Sequence, residues 1–304
     1  MRLGSGSHVY DIAEGWAKLP SSIKFGYAHG VVVDSQDRVY VHNKSKDAIT
    51  VFDREGNYLT SWGEEFSLVA HGMFLSKEDD NEYLYLAVAD AHKVVKTTLD
   101  GKIIFTLGVP DHPVYDSQFT YNPTDVAVAP NGDFYVCDGY GQNMIHHYDP
   151  HARLISSWGG LGADPGKMNC PHGIWIDTRG LEPLVYVADR ANNRIQVFTM
   201  EGKHAKFITD DIDYPCCFYE YEEDMYIPDL HSRMTILDRN NKLITHLGED
   251  KEAWKNDGWP RRPVSERTTA KFVAPHAACV DSHGDIYVVE FVPDGRLTKL
   301  IRVK

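Results

Sequence analysis

Long apolar runs, paired cysteines and an excess of basic charge are all missing from this sequence of 304 residues. Nowhere do about 20 apolar residues run together, as a membrane-spanning helix requires, and the N-terminus lacks the apolar core of a signal peptide. We therefore expect a cytoplasmic protein that does not contact a membrane. The five cysteines are odd in number and include no CxxC pair, so the sequence suggests neither a disulfide framework nor a zinc ribbon.

Acidic residues outnumber basic ones by 44 to 31, which gives a formal net charge of -13. A surface of this sign repels nucleic-acid backbones and anionic lipids. We therefore expect a small-molecule substrate as partner, and a monomer or small homo-oligomer. Helical periodicity is also nearly absent, and the best candidate for a helical turn is the segment EDKEAWKNDG at 249–258.

Six stretches of the chain repeat one pattern of strands. Each begins with a strand-like segment such as AHGVVVD (28–34) or PHGIWID (171–177), and most continue with a second such as RVYVHN or LVYVADR. Hairpin-turn dipeptides such as Asn131-Gly132 join many of these strands, and a third and fourth strand usually follow. Four antiparallel strands at a period of roughly 40 to 50 residues are typical of a β-propeller blade.

The repeat predicts an all-β, six-bladed propeller that occupies residues 1–304 as one domain. The last unit has only three strands, so we expect residues 7–14 to add its outer strand and close the ring. A long insertion at 250–272 precedes the last blade. The predicted blades cover residues 24–66, 67–118, 119–166, 167–210, 211–250 and 271–304.

Equivalent positions at the entrances of the innermost strands should form a ring around the central channel. In chain order this ring contains His29, His71, Thr124, His172, Cys216 and His276. The second, fourth and sixth blades alternate around the ring, which predicts a triangle of His71, His172 and His276 with an open fourth position, as in catalytic zinc sites. Alternatively, these histidines line the channel and bind water. For His29 the sequence leaves three roles open: a fourth metal ligand, an acid/base group or a residue that lines the channel.

Loops after the second strands should cover the same face as this ring. Tyr140 lies in a glycine-flanked loop, where the charge of a metal could lower its pKa from about 10 and make it a general base. Asp138 and Asp189 could instead cap turns, and Arg190 and Arg194 could hold blades together. We predict substrate contacts for a set drawn from both rings: Asn43, Lys44, Thr124, Arg190, Cys216 and His231.

The insertion is rich in tryptophan, arginine and proline. We predict that Trp254, Trp259, Arg261 and Arg262 form part of a lid or substrate rim at one channel mouth. A plain surface loop is the alternative interpretation.

Three segments resemble the peptidyl-α-hydroxyglycine α-amidating lyases, which are six-bladed propellers of the NHL-repeat group. They are YNPTDVAVAPNGDFYVCDGYGQN (121–143), PGKMNCPHGIWID (165–177) and VYVADRANNRIQVF (185–198). The resemblance covers blades two to four well and blades one and six loosely. It implies zinc on His71, His172 and His276, a catalytic Tyr140, and elimination from a carbinolamide that releases glyoxylate.

Other positions depart from this family. Asn43 replaces an arginine and Ala274 replaces a methionine, while Ala277 replaces the calcium-binding aspartate. The sequence therefore predicts that the metal triangle is retained, that the structural calcium is absent, and that the substrate differs. His29 is an addition to the family pattern.

Three hypotheses remain open from the sequence. The first is a metal-dependent lyase for a small hydroxylated substrate, with Tyr140 or His29 moving the proton. The second uses the same site to hydrolyse an ester, a lactone or a glycoside-like substrate. The third is a non-catalytic NHL propeller that binds other macromolecules, although such a platform has no need for histidines on alternate blades.

Overall fold

The computed structural model describes residues 1–304, and its regular structure is almost entirely β-strand. Two short strands come first, β1 (Arg2–Ser5) and β2 (His8–Ala13). Blade one contains β3 (Ala28–Val33), β4 (Val39–Asn43), β5 (Ile49–Phe52) and β6 (Tyr58–Trp62). Blade two contains β7 (Ala70–Glu78), β8 (Asn81–Val88), β9 (Lys93–Thr98) and β10 (Ile103–Leu107). Blade three contains β11 (Asp125–Val128), β12 (Phe134–Asp138), β13 (Met144–Tyr148) and β14 (Leu154–Gly159).

The remaining strands continue this order to the C-terminus. Blade four contains β15 (Pro171–Asp177), β16 (Leu184–Asp189), β17 (Arg194–Phe198) and β18 (His204–Ile208). Blade five contains β19 (Tyr219–Tyr221), β20 (Asp224–Asp229), β21 (Arg233–Leu237) and β22 (Leu243–Leu247). Blade six contains β23 (Pro275–Val280), β24 (Ile286–Glu290) and β25 (Leu297–Arg302).

Helices are limited to single 3₁₀ turns of three residues each, and none is long enough to cross a membrane. They cover Glu64–Phe66, Ala89–Ala91, Gln118–Thr120, Arg190–Asn192, Ala253–Lys255 and Val264–Glu266. The turn at Ala253–Lys255 lies within the segment for which the sequence predicts helix.

Each blade is an antiparallel sheet in which successive strands pair as hairpins, and the six sheets form a six-bladed β-propeller. This confirms the predicted fold class. The hairpin between β11 and β12 shows how the local sequence sets the register. Gly132 has φ +87°, a left-handed conformation that glycine adopts without strain, and it lets Val128 pair with Phe134.

The last blade receives its outer strands from the N-terminus, as the sequence predicts. Strand β2 pairs with β25, so that Ile12 lies opposite Leu300. Strand β1 extends this sheet to five strands through a hairpin at Gly6. The sequence pattern did not predict β1 because the strand is four residues long and mostly exposed.

The residues form two compact units. The first contains Met1–Leu68 and Phe218–Lys304, and thus blades one, five and six. The second contains Val69–Cys217, and thus blades two, three and four. The assignment of the whole chain to one domain stays a prediction.

Each unit has its own apolar core. In the first unit, Tyr10, Tyr226 and Ile286 belong to one buried cluster that joins blade five to blade six. In the second unit, Tyr135, Ile174 and Phe198 belong to a cluster between blades three and four, and a further cluster joins blades two and three. Alternating apolar residues on successive strands supply these contacts.

A buried ion network joins blade one to blade six within the first unit. Arg54 donates from Nε to Asp281 at 3.0 Å and from Nη2 to Asp285 at 2.6 Å. Lys299 reaches Asp285 at 3.1 Å, and both carboxylates are almost fully buried. Removal of one partner from such a network leaves a buried charge uncompensated, so the network fixes the two blades to each other.

Candidate functional site

His71 is held at the entrance of β7 by the next blade. Its Nδ1 donates to the backbone oxygen of Thr124 at 2.6 Å, and the amide of Gly72 donates to the same oxygen at 3.0 Å. A Cβ atom at position 72 would lie only 2.4 Å from that oxygen, so only glycine allows this approach. The His-Gly dipeptide therefore serves to lock the imidazole against the neighbouring strand.

His172 repeats this arrangement two blades further along the chain. Its Nδ1 donates to the backbone oxygen of Cys216 at 2.8 Å, and a Cβ atom on Gly173 would lie 2.3 Å from the same oxygen. A carbonyl acceptor keeps the proton on Nδ1, so the neutral ring carries its lone pair on Nε2. Both imidazoles are 2% exposed, which favours the neutral form.

Tyr140 lies between these two imidazoles. Its hydroxyl oxygen is 3.1 Å from Nε2 of His71 and 3.0 Å from Nε2 of His172, and the two imidazole centroids are 4.7 Å apart. The phenol has one proton, so it can donate to only one of the two nitrogens at a time.

Both imidazoles have the form in which a ring could bind a divalent ion. Each ring donates through Nδ1 to a backbone carbonyl, which is the arrangement common among metal-binding histidines, and its Nε2 faces the Tyr140 hydroxyl. The structure thus brings together two of the predicted metal ligands and the predicted general base. Their functional roles stay predictions.

Arg190 completes the surroundings of the phenol. Its Nη2 donates to the Tyr140 hydroxyl at 3.3 Å and lies 3.3 Å from Sγ of Cys170. The guanidinium carbon is also 5.4 Å from the ring centroid of Tyr140 and 5.3 Å from that of Tyr214. Arg190 is 8% exposed, so its charge acts in a poorly solvated environment, where electrostatic interactions are stronger.

Tyr140 is 45% exposed as a residue, whereas its hydroxyl lies among buried side chains. Desolvation raises the pKa of this phenol to about 12, and the charge of Arg190 opposes the rise. The phenol is therefore neutral at pH 7 when no further positive charge is present.

Asp138 fixes the loop that carries Tyr140. Its carboxylate accepts the backbone N–H of Asn122 at 2.7 Å and that of Gln142 at 2.6 Å. The hydroxyl of Tyr115 donates to the same carboxylate at 2.7 Å. Asp138 thus caps the loop, as its position after β12 suggests, and it holds both sides of residue 140.

His146 supports the Asp138 cap through Tyr115. Its Nε2 lies 2.6 Å from the Tyr115 oxygen, and its Nδ1 is 2.8 Å from the Ser157 hydroxyl. Because Tyr115 donates to Asp138, His146 donates to Tyr115 and accepts from Ser157. Burial lowers the pKa of His146 to about 3, so the ring is neutral.

The partners of Asp138 differ from those of the equivalent aspartate in blade four. In blade four, Arg194 and Gln196 on β17 bind Asp189 at the end of β16. In blade three, the equivalent positions on β13 hold Met144 and His146. The carboxylate of Asp138 therefore lacks the arginine of its counterpart and uses the phenol of Tyr115.

Replacement of Tyr115 by phenylalanine is expected to lower kcat about tenfold and to leave the metal content unchanged. The change removes a hydrogen bond to a charged group, worth about 1.5–3 kcal/mol, and loosens the Tyr140 loop. Steady-state kinetics of the folded variant measures the effect. Tyr135→Phe is the matched control, because its hydroxyl donates to the Met200 backbone oxygen away from this loop. Equal rates for the two variants would contradict the positioning role.

Asp125 is a buried carboxyl group in the strand β11, next to the residue that holds His71. Its Oδ2 accepts the amide of Ile174 at 3.1 Å. Burial raises the pKa of Asp125 to about 7, because desolvation outweighs this hydrogen bond.

Asp125→Asn is expected to stabilise the protein at pH 8 by about 2–4 kcal/mol and to have little effect at pH 4. The folded state binds this proton more tightly than the unfolded state, so the wild type loses stability as pH rises from about 4 to 7. Asparagine keeps an oxygen for the Ile174 amide and removes the charge. Urea unfolding across this pH range measures the effect, with the exposed Asp80→Asn as control. Parallel stability profiles for wild type and Asp125→Asn would refute the prediction.

The other two ring histidines lie in the first unit. His276 donates from Nδ1 to the backbone oxygen of His29 at 2.8 Å, the same arrangement as in His71 and His172. The rings of His276 and His29 have centroids 4.7 Å apart, and Nδ1 of His29 is 3.1 Å from the Tyr27 backbone oxygen. The metal-binding role of His276 and the catalytic role of His29 stay predictions.

Several predicted substrate residues have structural contacts. Asn43 is fully buried; its Oδ1 accepts the Gly26 amide at 3.1 Å, and its Nδ2 donates to the Asp47 backbone oxygen of its own loop at 3.0 Å. Lys44 follows it in a half-buried position. Thr124 donates from Oγ1 to the Pro171 backbone oxygen at 3.0 Å. Their predicted contacts with substrate remain untested.

The insertion packs beside His231 in the first unit. The His231 ring stacks on Trp254 with centroids 4.1 Å apart and an angle of 10° between the planes. Trp259 donates from Nε1 to the Val273 backbone oxygen at 2.8 Å. Arg261 is exposed and Arg262 is half-buried. The lid and the substrate role of His231 stay predictions.

Comparisons with known proteins agree with this architecture. The NHL repeat model matches residues 120–148, the segment that contains the Tyr140 loop. The chain is a six-bladed β-propeller that contains an NHL repeat. NHL repeat-containing protein 3 of Homo sapiens is 30% identical over 202 residues, which are 62% of this chain and 56% of that protein. This propeller thus spans about half the length of that relative.

A lyase is among the relatives of this NHL-repeat propeller. Peptidyl-alpha-hydroxyglycine alpha-amidating lyase 1 of Drosophila melanogaster is 33% identical over 151 residues, 47% of this chain and 27% of that protein. Virginiamycin B lyase from Staphylococcus aureus shares the fold, with a TM-score of 0.61, 12% identity and coverage of 92% of this chain and 98% of that one. The resemblance to the amidating lyases is confirmed, and the names of the relatives support an enzyme.

Proposed function

We propose that this protein is a metal-dependent lyase that acts on a small hydroxylated substrate, with zinc as the preferred ion. The observation that carries the proposal is the position of the Tyr140 hydroxyl between Nε2 of His71 and Nε2 of His172. A basic oxygen beside two neutral nitrogen ligands is the combination that metal-assisted removal of a hydroxyl proton requires.

His71 and His172 would hold the ion through Nε2. The sequence repeat makes His276 the predicted third ligand, and its Nδ1 has the same kind of backbone acceptor. When bound, the divalent ion would supply positive charge that makes a substrate hydroxyl more acidic.

Tyr140 is the proposed acid/base group. Arg190 donates to its oxygen, and the added charge of a bound ion would favour the phenolate, which can accept a proton from the substrate hydroxyl. Tyr140 afterwards returns that proton to the leaving group.

The substrate class that fits best is a carbinolamide, an amide whose nitrogen is bound to the hydroxylated carbon and which is called an α-hydroxyamide below, in keeping with the name of the lyase relative. The hydroxyl loses its proton, a carbonyl group forms at that carbon, and the bond from carbon to the amide nitrogen breaks. The nitrogen keeps the electron pair and gains the proton. The products are an aldehyde and a primary amide, and no water is consumed.

Incubation of the zinc-loaded protein with an N-acyl α-hydroxyglycine in ¹⁸O-labelled water tests this function. Mass spectrometry is expected to detect an unlabelled primary amide together with glyoxylate. A labelled carboxylic acid would instead show hydrolysis, the second reaction that the sequence leaves open. An absence of turnover by folded, zinc-loaded protein would overturn the α-hydroxyamide proposal.

A further inference from the structure

Cys216 lies beside the imidazole of His172, one residue before the C-terminal end of the second unit. The residue is fully buried, and its backbone oxygen accepts the Nδ1 proton of His172. Its Sγ lies within 4.8 Å of a ring nitrogen of His172. The thiol side chain and the locked imidazole therefore belong to one cluster.

The position of Cys216 in the repeat points to the same site. It occupies the entrance of blade five, where four of the other five blades have a histidine: His29, His71, His172 and His276. In a propeller, residues at this position face the channel. Cysteine at this position replaces an imidazole by a thiol, and both groups are common zinc ligands.

Distances in zinc sites make coordination feasible. Zinc binds thiolate sulfur at about 2.3 Å and imidazole nitrogen at about 2.0–2.1 Å, so two such atoms on one tetrahedral ion are roughly 3.5 Å apart. A separation within 4.8 Å requires only a small rotation of the Cys216 side chain.

We propose that Cys216 is a metal ligand, so that a thiolate joins the imidazole of His172 around the ion. This inference rests on the proposed metal site and specifies its donor set. A thiolate makes the site softer, which favours zinc over magnesium, calcium or manganese. It also lowers the net positive charge of the centre by one.

Cobalt(II) substitution tests this donor set without an activity assay. Wild-type protein with one equivalent of cobalt is expected to show visible bands of tetrahedral cobalt and a thiolate-to-cobalt charge-transfer band in the near ultraviolet. Cys216→Ser should lose the charge-transfer band and bind metal at least about tenfold more weakly. Cys170→Ser and Cys217→Ser are the matched controls and should keep the band.

Different results would overturn the role of Cys216 and the metal site itself. Tetrahedral cobalt bands without charge transfer in the wild type, or a band that survives in Cys216→Ser, would overturn the role of Cys216 alone. No cobalt binding by folded wild-type protein would overturn the proposed metal site itself. X-ray absorption of the zinc-loaded wild type gives an independent reading, with one sulfur at about 2.3 Å expected and nitrogen or oxygen ligands only as the contrary result.

Discussion

Tyr140→Phe is expected to lower kcat by about 10²–10⁴-fold and to leave metal binding unchanged. The variant keeps the ring that packs beside His71 and His172 but loses the oxygen that lies 3.1 and 3.0 Å from their Nε2 atoms. No other proposed acid/base group lies at this point of the second unit. Such a loss corresponds to about 3–5 kcal/mol of transition-state stabilisation.

Single-turnover kinetics on metal-loaded protein measures this change at the chemical step. Tyr214→Phe is the matched control, because Tyr214 faces the same guanidinium group of Arg190 and does not bridge the two imidazoles. We expect the control to react at close to the wild-type rate. If Tyr140→Phe retained the wild-type rate, the acid/base role would have to pass to another residue, such as His29.

His172→Ala is expected to weaken metal binding by at least about 100-fold and to abolish turnover at micromolar metal. The change removes an Nε2 donor and leaves the backbone oxygen of Cys216 without its Nδ1 partner. Competition with a chromogenic chelator measures affinity, and the same sample is assayed for turnover.

His204→Gln is the control for this variant. His204 lies on the outer strand β18 of the same blade as His172, and it should bind metal and react like the wild type. Turnover by His172→Ala with no bound metal would contradict the proposed mechanism. Restoration of turnover at high zinc concentration would support it, since the weakened site is then refilled.

The sequence was sufficient to predict the blades because apolar, strand-like segments recur at a regular spacing and turn dipeptides join many of them. The missing fourth strand of blade six also predicted the pairing of β2 with β25. In contrast, β1 has too few apolar residues to be distinguished from a loop. Its pairing depends on the hairpin with β2, which becomes evident only in the folded sheet.

The candidate site was predictable to the extent that it follows the repeat. His71 and His172 occupy one repeat position, and their glycine neighbours are explained by the close approach of the next strand. The support of Tyr140 by Tyr115 and His146 does not follow the repeat. Tyr115 lies in an irregular connection, and the alternation of β13 does not show which neighbour a buried histidine will contact.

An anomalous-difference map of zinc-soaked crystals is the most direct test of the proposed metal site. We expect one strong peak at the zinc absorption edge, in contact with Nε2 of both His71 and His172 and close to the hydroxyl of Tyr140. A map without a peak at these nitrogens, from protein that turns over its substrate under the same conditions, would contradict it.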